Sequence, residues 1–186
     1  MNLQLLTILK RLKEEFEDLI SNPLSEIGVT VQLLNENDYF EWGITIIGPK
    51  DTPYKDGIFY LKANFKDNYP YERPNIYFIT PIYHVDVNPK KIKFFDSEPL
   101  GFPALNNLFW WKPEFKMRDI LSDLHKLFYN HSCDHPYGLE RNDECRNNKG
   151  LYYKKIEYFT KKYANKQQKS NFIPLEKSWD FSYENK

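Results

Sequence analysis

Residues able to do covalent chemistry gather at one place in this sequence. His131-Ser132-Cys133-Asp134-His135 sets a thiol between two imidazoles and beside a carboxylate. A histidine next to a cysteine can lower the thiol pKa and yield a nucleophilic thiolate. The same run, with Cys145 further on, also offers sulfur and nitrogen ligands for zinc, although spacings of two are unusual for a tetrahedral site. A third reading makes Cys133 a half-exposed loop thiol.

The elements that must position these groups are legible from periodicity. The chain has 186 residues, 41% of them apolar, which suits one domain with its own core. Residues 3–20 read as an amphipathic helix. Leu5, Leu9, Leu12, Phe16 and Leu19 lie on one face, and Lys10, Arg11, Lys13, Glu14, Glu15 and Asp18 on the other. Four short strands follow: Val29 to Leu34; a second with Phe40, Trp42, Ile44 and Ile46 inward; a third with Phe59, Leu61, Ala63 and Phe65 inward; and Asn75 to Ile79. Residues 80–113 show no convincing period, and a loop that long is usually functional or divergent. Helices are expected over 114–129, 139–148 and 151–164, with Gly150 as punctuation. The fold class is α+β: a helix, a four-stranded antiparallel meander, a long loop, then helices.

Composition excludes several classes. With 26 basic and 26 acidic side chains the net charge is zero, which argues against general nucleic-acid binding. Two cysteines make no secreted framework and are expected to be reduced thiols. No segment is apolar for the length a membrane span needs. The apolar N-terminus lacks the basic lead of a signal sequence. A cytoplasmic or nuclear location is expected.

Several spaced motifs over residues 9–164 resemble the ubiquitin-conjugating enzyme family. Gly48-Pro49-Lys50-Asp51-Thr52-Pro53-Tyr54-Lys55-Asp56-Gly57 resembles its Gly-Pro loop. Asn68-Tyr69-Pro70-Tyr71-Glu72-Arg73-Pro74 is similar to its Tyr-Pro loop, and Ile82-Tyr83-His84 to the start of its active-site motif. Trp111-Lys112-Pro113 before a helix, Asp134-His135-Pro136-Tyr137 and Lys161-Lys162-Tyr163-Ala164 also match its pattern. The resemblance implies the family's fold, and transthiolation by a cysteine thiolate with a nearby Asn side chain supporting the oxyanion.

The chain departs from that pattern where the chemistry sits. The resemblance places a cysteine about ten residues after His84, yet Lys93 or Phe94 stands there, depending on a one-residue gap. Val85 replaces the motif's Pro and Asp86 its Asn, and a carboxylate stabilises an oxyanion poorly. This resembles the family's cysteine-less variants. The expectation is therefore a non-catalytic binding or scaffold module without a cofactor or metal, and not an enzyme. The alternative is an active ubiquitin or ubiquitin-like conjugating enzyme with Cys133, flanked by His131 and His135, as a relocated nucleophile. The resemblance further implies protein partners: ubiquitin, an active conjugating enzyme or a ubiquitin ligase. Their contact positions here are Lys10, Arg11, Lys13, Tyr71, Lys112 and Pro113, with Glu114 departing from the small residue expected. Residues 97–108 form an insertion that is expected to cover the would-be site. Residues 1–164 make the domain, and 165–186 a tail whose Trp179, Phe181 and Tyr183 either fold back or bind a partner.

Overall fold

A computed structural model of the chain describes residues 3–88, 101–135, 140–165 and 179–183. Helix α1 (Leu3–Ser21) leads through a short 3-10 turn (Ser25–Ile27) to strands β1 (Val29–Leu33), β2 (Glu41–Ile47), β3 (Ile58–Asn64) and β4 (Asn75–Phe78). The strands form one antiparallel sheet in sequence order, the expected meander. Its register sets Ile44 opposite both Val31 and Leu61, and Ala63 opposite Ile76. Side chains alternate across a strand, so Trp42, Ile44, Ile46, Phe59, Leu61 and Ala63 all face inward and are fully buried. Burial of a large apolar side chain contributes roughly 1.5–3 kcal/mol, so this row is a main source of the fold's stability.

Helices α2 (Asn106–Phe109), α3 (Met117–Leu127), α4 (Glu140–Asn147) and α5 (Lys149–Tyr163) follow. In α3, Met117, Ile120, Leu121, Leu124 and Leu127 form the buried stripe, and Asp119 Oδ2 accepts from the Lys116 N–H at 2.9 Å to hold its first turn. Gly150 lies inside the first turn of α5 and does not interrupt it. The helix starts where the Asn148 side chain accepts from the Leu151 N–H at 3.1 Å, an N-cap that satisfies an otherwise orphaned donor. At its other end, Ala164 O accepts from the Ile58 N–H at 2.9 Å, which anchors α5 to the start of β3.

One residue of α1 departs from the expected pattern. Glu15, assigned to the solvent face, is 6% exposed. Its Oε1 accepts from the Tyr69 hydroxyl at 2.7 Å and from Arg11, and its Oε2 from the Met117 N–H at 2.7 Å. A buried carboxylate needs such partners, and here they come from three separate segments.

The long unpatterned stretch is only partly irregular. Residues 86–88 run against 101–104: Ala104 N donates to Asp86 O (2.7 Å), Asn88 N to Phe102 O (3.0 Å) and Gly101 N to Asn88 O (2.8 Å). Val87 and Pro103 form an antiparallel bridge. These bonds fix the backbone of Asp86.

The residues 179–183 lie against the domain. The Phe181 ring sits 5.3 Å from Tyr83 and 4.9 Å from Phe159, both edge-on. Tyr163 donates from its hydroxyl to Asp180 O at 2.5 Å.

Candidate active site

The Gly-Pro loop builds the floor of the site. Thr52 Oγ1 and the Thr52 N–H both bond Pro49 O, closing the turn. A Cβ on Gly48 would lie 1.9 Å from the Tyr54 carbonyl oxygen, so only glycine allows this approach. The turn drives Tyr54 into the core, fully buried. Its hydroxyl donates to Tyr83 O at 2.9 Å, and its ring stacks near His84 and His131.

His84 is buried, and both ring nitrogens are engaged. Nδ1 accepts from the Asp86 N–H at 3.0 Å, and Nε2 lies 2.9 Å from Leu127 O, which it serves as donor. One neutral tautomer satisfies both bonds. Burial, then the neighbouring His131, hold its pKa well below the usual imidazole value. His84 thus shapes the turn and is not placed to move a proton.

His131 stacks on His84 with ring centroids 4.6 Å apart. Tyr152 on α5 links the two segments: its hydroxyl oxygen accepts from the Val85 N–H at 3.2 Å and lies 3.0 Å from His131 Nδ1. The phenol proton is then available to Nδ1, and the imidazole proton sits on Nε2. Burial, reinforced by Lys149, pushes the His131 pKa down to about 4. Burial pushes His135 down as well. Both imidazoles are neutral near pH 7, so neither supplies the cation of a Cys–His ion pair, and with Tyr152 on Nδ1 and the proton on Nε2 His131 has no free lone pair for a thiol proton.

Cys133 and Cys145, twelve positions apart in sequence, are joined in a disulfide with Cα atoms 5.5 Å apart. This corrects the expectation of two reduced thiols. The count of cysteines gave no reason to pair them, but α4 folds back on the 130–135 loop and brings Cys145 beneath Cys133. Arg146 of α4 holds the same loop, donating to Cys133 O at 3.1 Å and pairing with Asp134 at 2.9 Å. The zinc reading fails with the same bond, since a disulfide sulfur is no thiolate ligand, and no metal-holding cluster occurs among the described residues. Cys145 is buried, and Cys133 is half-buried.

A groove of about 780 Å³ opens at this point, lined among others by Asp86, Phe109, His131, Cys133, His135 and Lys149. Asp86 is 5% exposed. Its Oδ2 accepts from the Ser132 N–H at 2.8 Å, which ties it to the residue preceding Cys133. Burial raises the Asp86 pKa to about 6, against the pull of the Ser132 N–H and of Arg141. The structure therefore brings Asp86, His131, Cys133 and His135 to one groove. Val85 is buried beneath it, and Lys93 and Phe94 lie outside the described residues. The part of the insertion that is described does border the groove, through Ala104, Leu105 and Asn106.

The surface positions separate. Lys10 and Lys13 are exposed, near Glu14 and Glu17. Tyr71 is 82% exposed. Arg11 instead turns inward to Glu15 and donates to Phe115 O at 3.0 Å. Lys112, Pro113 and Glu114 lie in the loop before α3, next to Trp111, whose indole N–H donates to Pro70 O at 2.6 Å. Sequence reasoning missed Tyr152, Tyr54 and Arg141 as site-shaping residues. Tyr152 shares a periodic apolar face with Ile156 and Phe159, and nothing in that spacing marks its hydroxyl as bridging two loops.

The four-stranded meander between α1 and the C-terminal helices, with a groove beside the His84 turn, defines a ubiquitin-conjugating fold. The family model described as ubiquitin-conjugating enzyme matches residues 11–160. Ubiquitin-conjugating enzyme E2 13 of Saccharomyces cerevisiae is 33% identical over 161 residues, covering 85% of this chain and 95% of that protein. Ubiquitin-conjugating enzyme E2 13 of Arabidopsis thaliana is 28% identical over 151 residues (78% and 89%), and ubiquitin-conjugating enzyme E2 14 of Schizosaccharomyces pombe 29% over 155 (83% and 93%). The chain belongs to the ubiquitin-conjugating enzyme family. That corrects the expectation that it is not an enzyme: the family and these relatives are named as enzymes. Membership places the chain in the ubiquitin pathway with proteins as partners. Among the described residues, no helix is long and apolar enough to cross a membrane.

Proposed function

We propose that this chain is a ubiquitin or ubiquitin-like conjugating enzyme in which Cys133 is the acceptor thiol. The supporting observation is the bond from the Ser132 N–H to Asp86, which sets Cys133 on the groove beside the position where the family resemblance calls for the catalytic Asn. Transthiolation requires sulfur. The sequence has two cysteines; both border the groove, but Cys145 on α4 is buried and Cys133 is half-buried, the more accessible of the two once reduced.

Reduction of the Cys133–Cys145 bond by a thiol or phosphine comes first and leaves two thiols. The Cys133 thiolate then attacks the thioester carbonyl carbon on an activating enzyme. A new C–S bond forms, the old one breaks, and the electron pair leaves with the activating enzyme's sulfur. Lys10 and Lys13 on α1, exposed Tyr71, and Lys112-Pro113 supply the surface for the activating enzyme or a ligase. Arg11 supports that surface from within.

The test is charging. Protein reduced with a phosphine is mixed with activating enzyme, ubiquitin and ATP, and resolved without thiols. A thiol-labile adduct that persists in Cys145→Ser and disappears in Cys133→Ala is expected. An adduct that survives Cys133→Ala, or no adduct with either ubiquitin or its relatives, overturns the assignment.

A further inference from the structure

We infer that Asp86 is the proton acceptor for an amine that attacks a thioester carried on Cys133. The inference rests on the reading of Cys133 as the acceptor thiol.

The two carboxylate oxygens of Asp86 have different surroundings. Oδ2 is held by the Ser132 N–H at 2.8 Å. Oδ1 is buried and has no hydrogen-bond partner among the described residues. A buried acceptor left without a donor is costly, and Asp86 lines the groove that holds Cys133. Asp86 thus holds in the groove wall a carboxylate with one oxygen unsatisfied and closed to solvent in the chain alone, and a donor for it would arrive with the substrate. The other described acid of the groove, Asp123, is already engaged by Lys126 at 2.9 Å and Asn107 at 2.5 Å. Of the two acids, Asp86 is the one with a carboxylate oxygen left unpartnered for an amine that enters the groove.

The groups facing Asp86 leave this role free. His84 Nδ1 is 3.8 Å from Oδ2, but His84 is held neutral and its Nδ1 lone pair is taken by the Asp86 N–H. From the 130–135 loop come the Ser132 N–H and neutral His131. From α4, Arg141 favours the charged carboxylate and donates to Val87 O at 3.2 Å. From α5 comes the Tyr152 phenol, whose pKa burial raises. With its pKa at about 6, Asp86 is ionised at neutral pH yet basic enough to take a proton.

The step balances without a further reagent. The amine nitrogen bonds to the thioester carbonyl carbon, the C–S bond breaks, and its electron pair stays on Cys133 sulfur as thiolate. The nitrogen's surplus proton passes to Asp86 Oδ1 and then to solvent. Asp86 thereby replaces oxyanion support, for which a carboxylate is unsuited, with proton removal.

The experiment separates charging from discharge. Charged wild type and Asp86→Asn are chased in single turnover with free lysine and, separately, with hydroxylamine, which is largely unprotonated at neutral pH. Asparagine keeps the acceptor for the Ser132 N–H. Charging is expected to be retained, while discharge to lysine falls on the order of 100-fold and discharge to hydroxylamine far less. Wild-type discharge to lysine should also show an inflection near pH 6, read on the unaltered protein. Equal slowing with both amines, an unchanged lysine rate, or no such inflection overturns the role of Asp86 alone. No Cys133-dependent thioester on wild type overturns it together with the proposed function.

Discussion

Replacing Asp86 by Asn should make the protein more stable at neutral pH, and the gain should vanish in acid. Asp86 has a pKa of about 6 in the folded chain against an ordinary value of 3.8. A folded-state pKa above the unfolded one means that the native state binds the extra proton between those two values. Stability then falls as pH rises from about 4 to 6 and stays lower above that window. At about 1.4 kcal/mol per tenfold change in proton affinity, the full difference is about 3 kcal/mol. Asparagine escapes it but accepts from the Ser132 N–H as a neutral group, a weaker bond than a carboxylate makes. The net expected gain is about 1–2 kcal/mol at pH 7.5. Urea unfolding of both proteins at pH 4, 5, 6 and 7.5, with the disulfide intact in each, measures it. Subtraction cancels the titration of groups common to both. A difference that does not grow between pH 4 and 6, or an Asn variant less stable at pH 7.5, would refute the account of Asp86 as a carboxylate held at a cost. Stability surrendered at a functional residue is a familiar trade, so a stabler Asp86→Asn protein that discharges poorly onto lysine would join the two lines of argument.

Three further outcomes are expected. Glu15→Ala strips partners from Arg11, the Tyr69 hydroxyl and the Met117 N–H together, and should lower unfolding free energy by about 3 kcal/mol, since removing one member of a buried charged pair strands the others; a loss of a few tenths by urea titration would show that water replaces the carboxylate. His131, with its pKa pushed down to about 4, contributes stability that is fully present above its unfolded value of 6.5 and is lost as pH falls toward 4, by about 3 kcal/mol; His131→Asn should lose this dependence in pH-resolved unfolding curves. Deleting residues 179–186 uncovers Tyr83 and Phe159 and should cost about 2 kcal/mol, and an unaltered unfolding midpoint would show that the Phe181 contacts contribute nothing.

The sheet and the main helices were legible because each has a single period facing a single core. The alternation from Trp42 to Ile46 and from Phe59 to Phe65 admits only one inward face. The chemistry at the site was harder to read because its geometry depends on segments far apart in sequence. Asp86, Ser132 and Tyr152 meet only once α3 and α5 have packed, and the pairing of Cys133 with Cys145 depends on how α4 turns back. Glu15 misled for a related reason. Beside Glu14 and Glu17 it reads as one more solvated charge, and only Tyr69 and Met117 make it an interior residue. The departures at Val85 and Asp86 were visible in the sequence, but they suggested lost chemistry, whereas the chain belongs to a family named as enzymes.

The Glu15 carboxylate also has a mechanical meaning. It fastens α1, the Tyr69 loop and the first turn of α3 at one point, and the Trp111 indole adds a second fastening between the Tyr-Pro loop and the segment before α3. The surfaces carrying Lys10 and Lys13, Tyr71 and Lys112 are therefore facets of one stiff corner. A partner that docks there meets a shape whose ordering entropy was already lost when the chain folded, so little more need be lost on contact. A strain applied at any one facet would be felt at the other two.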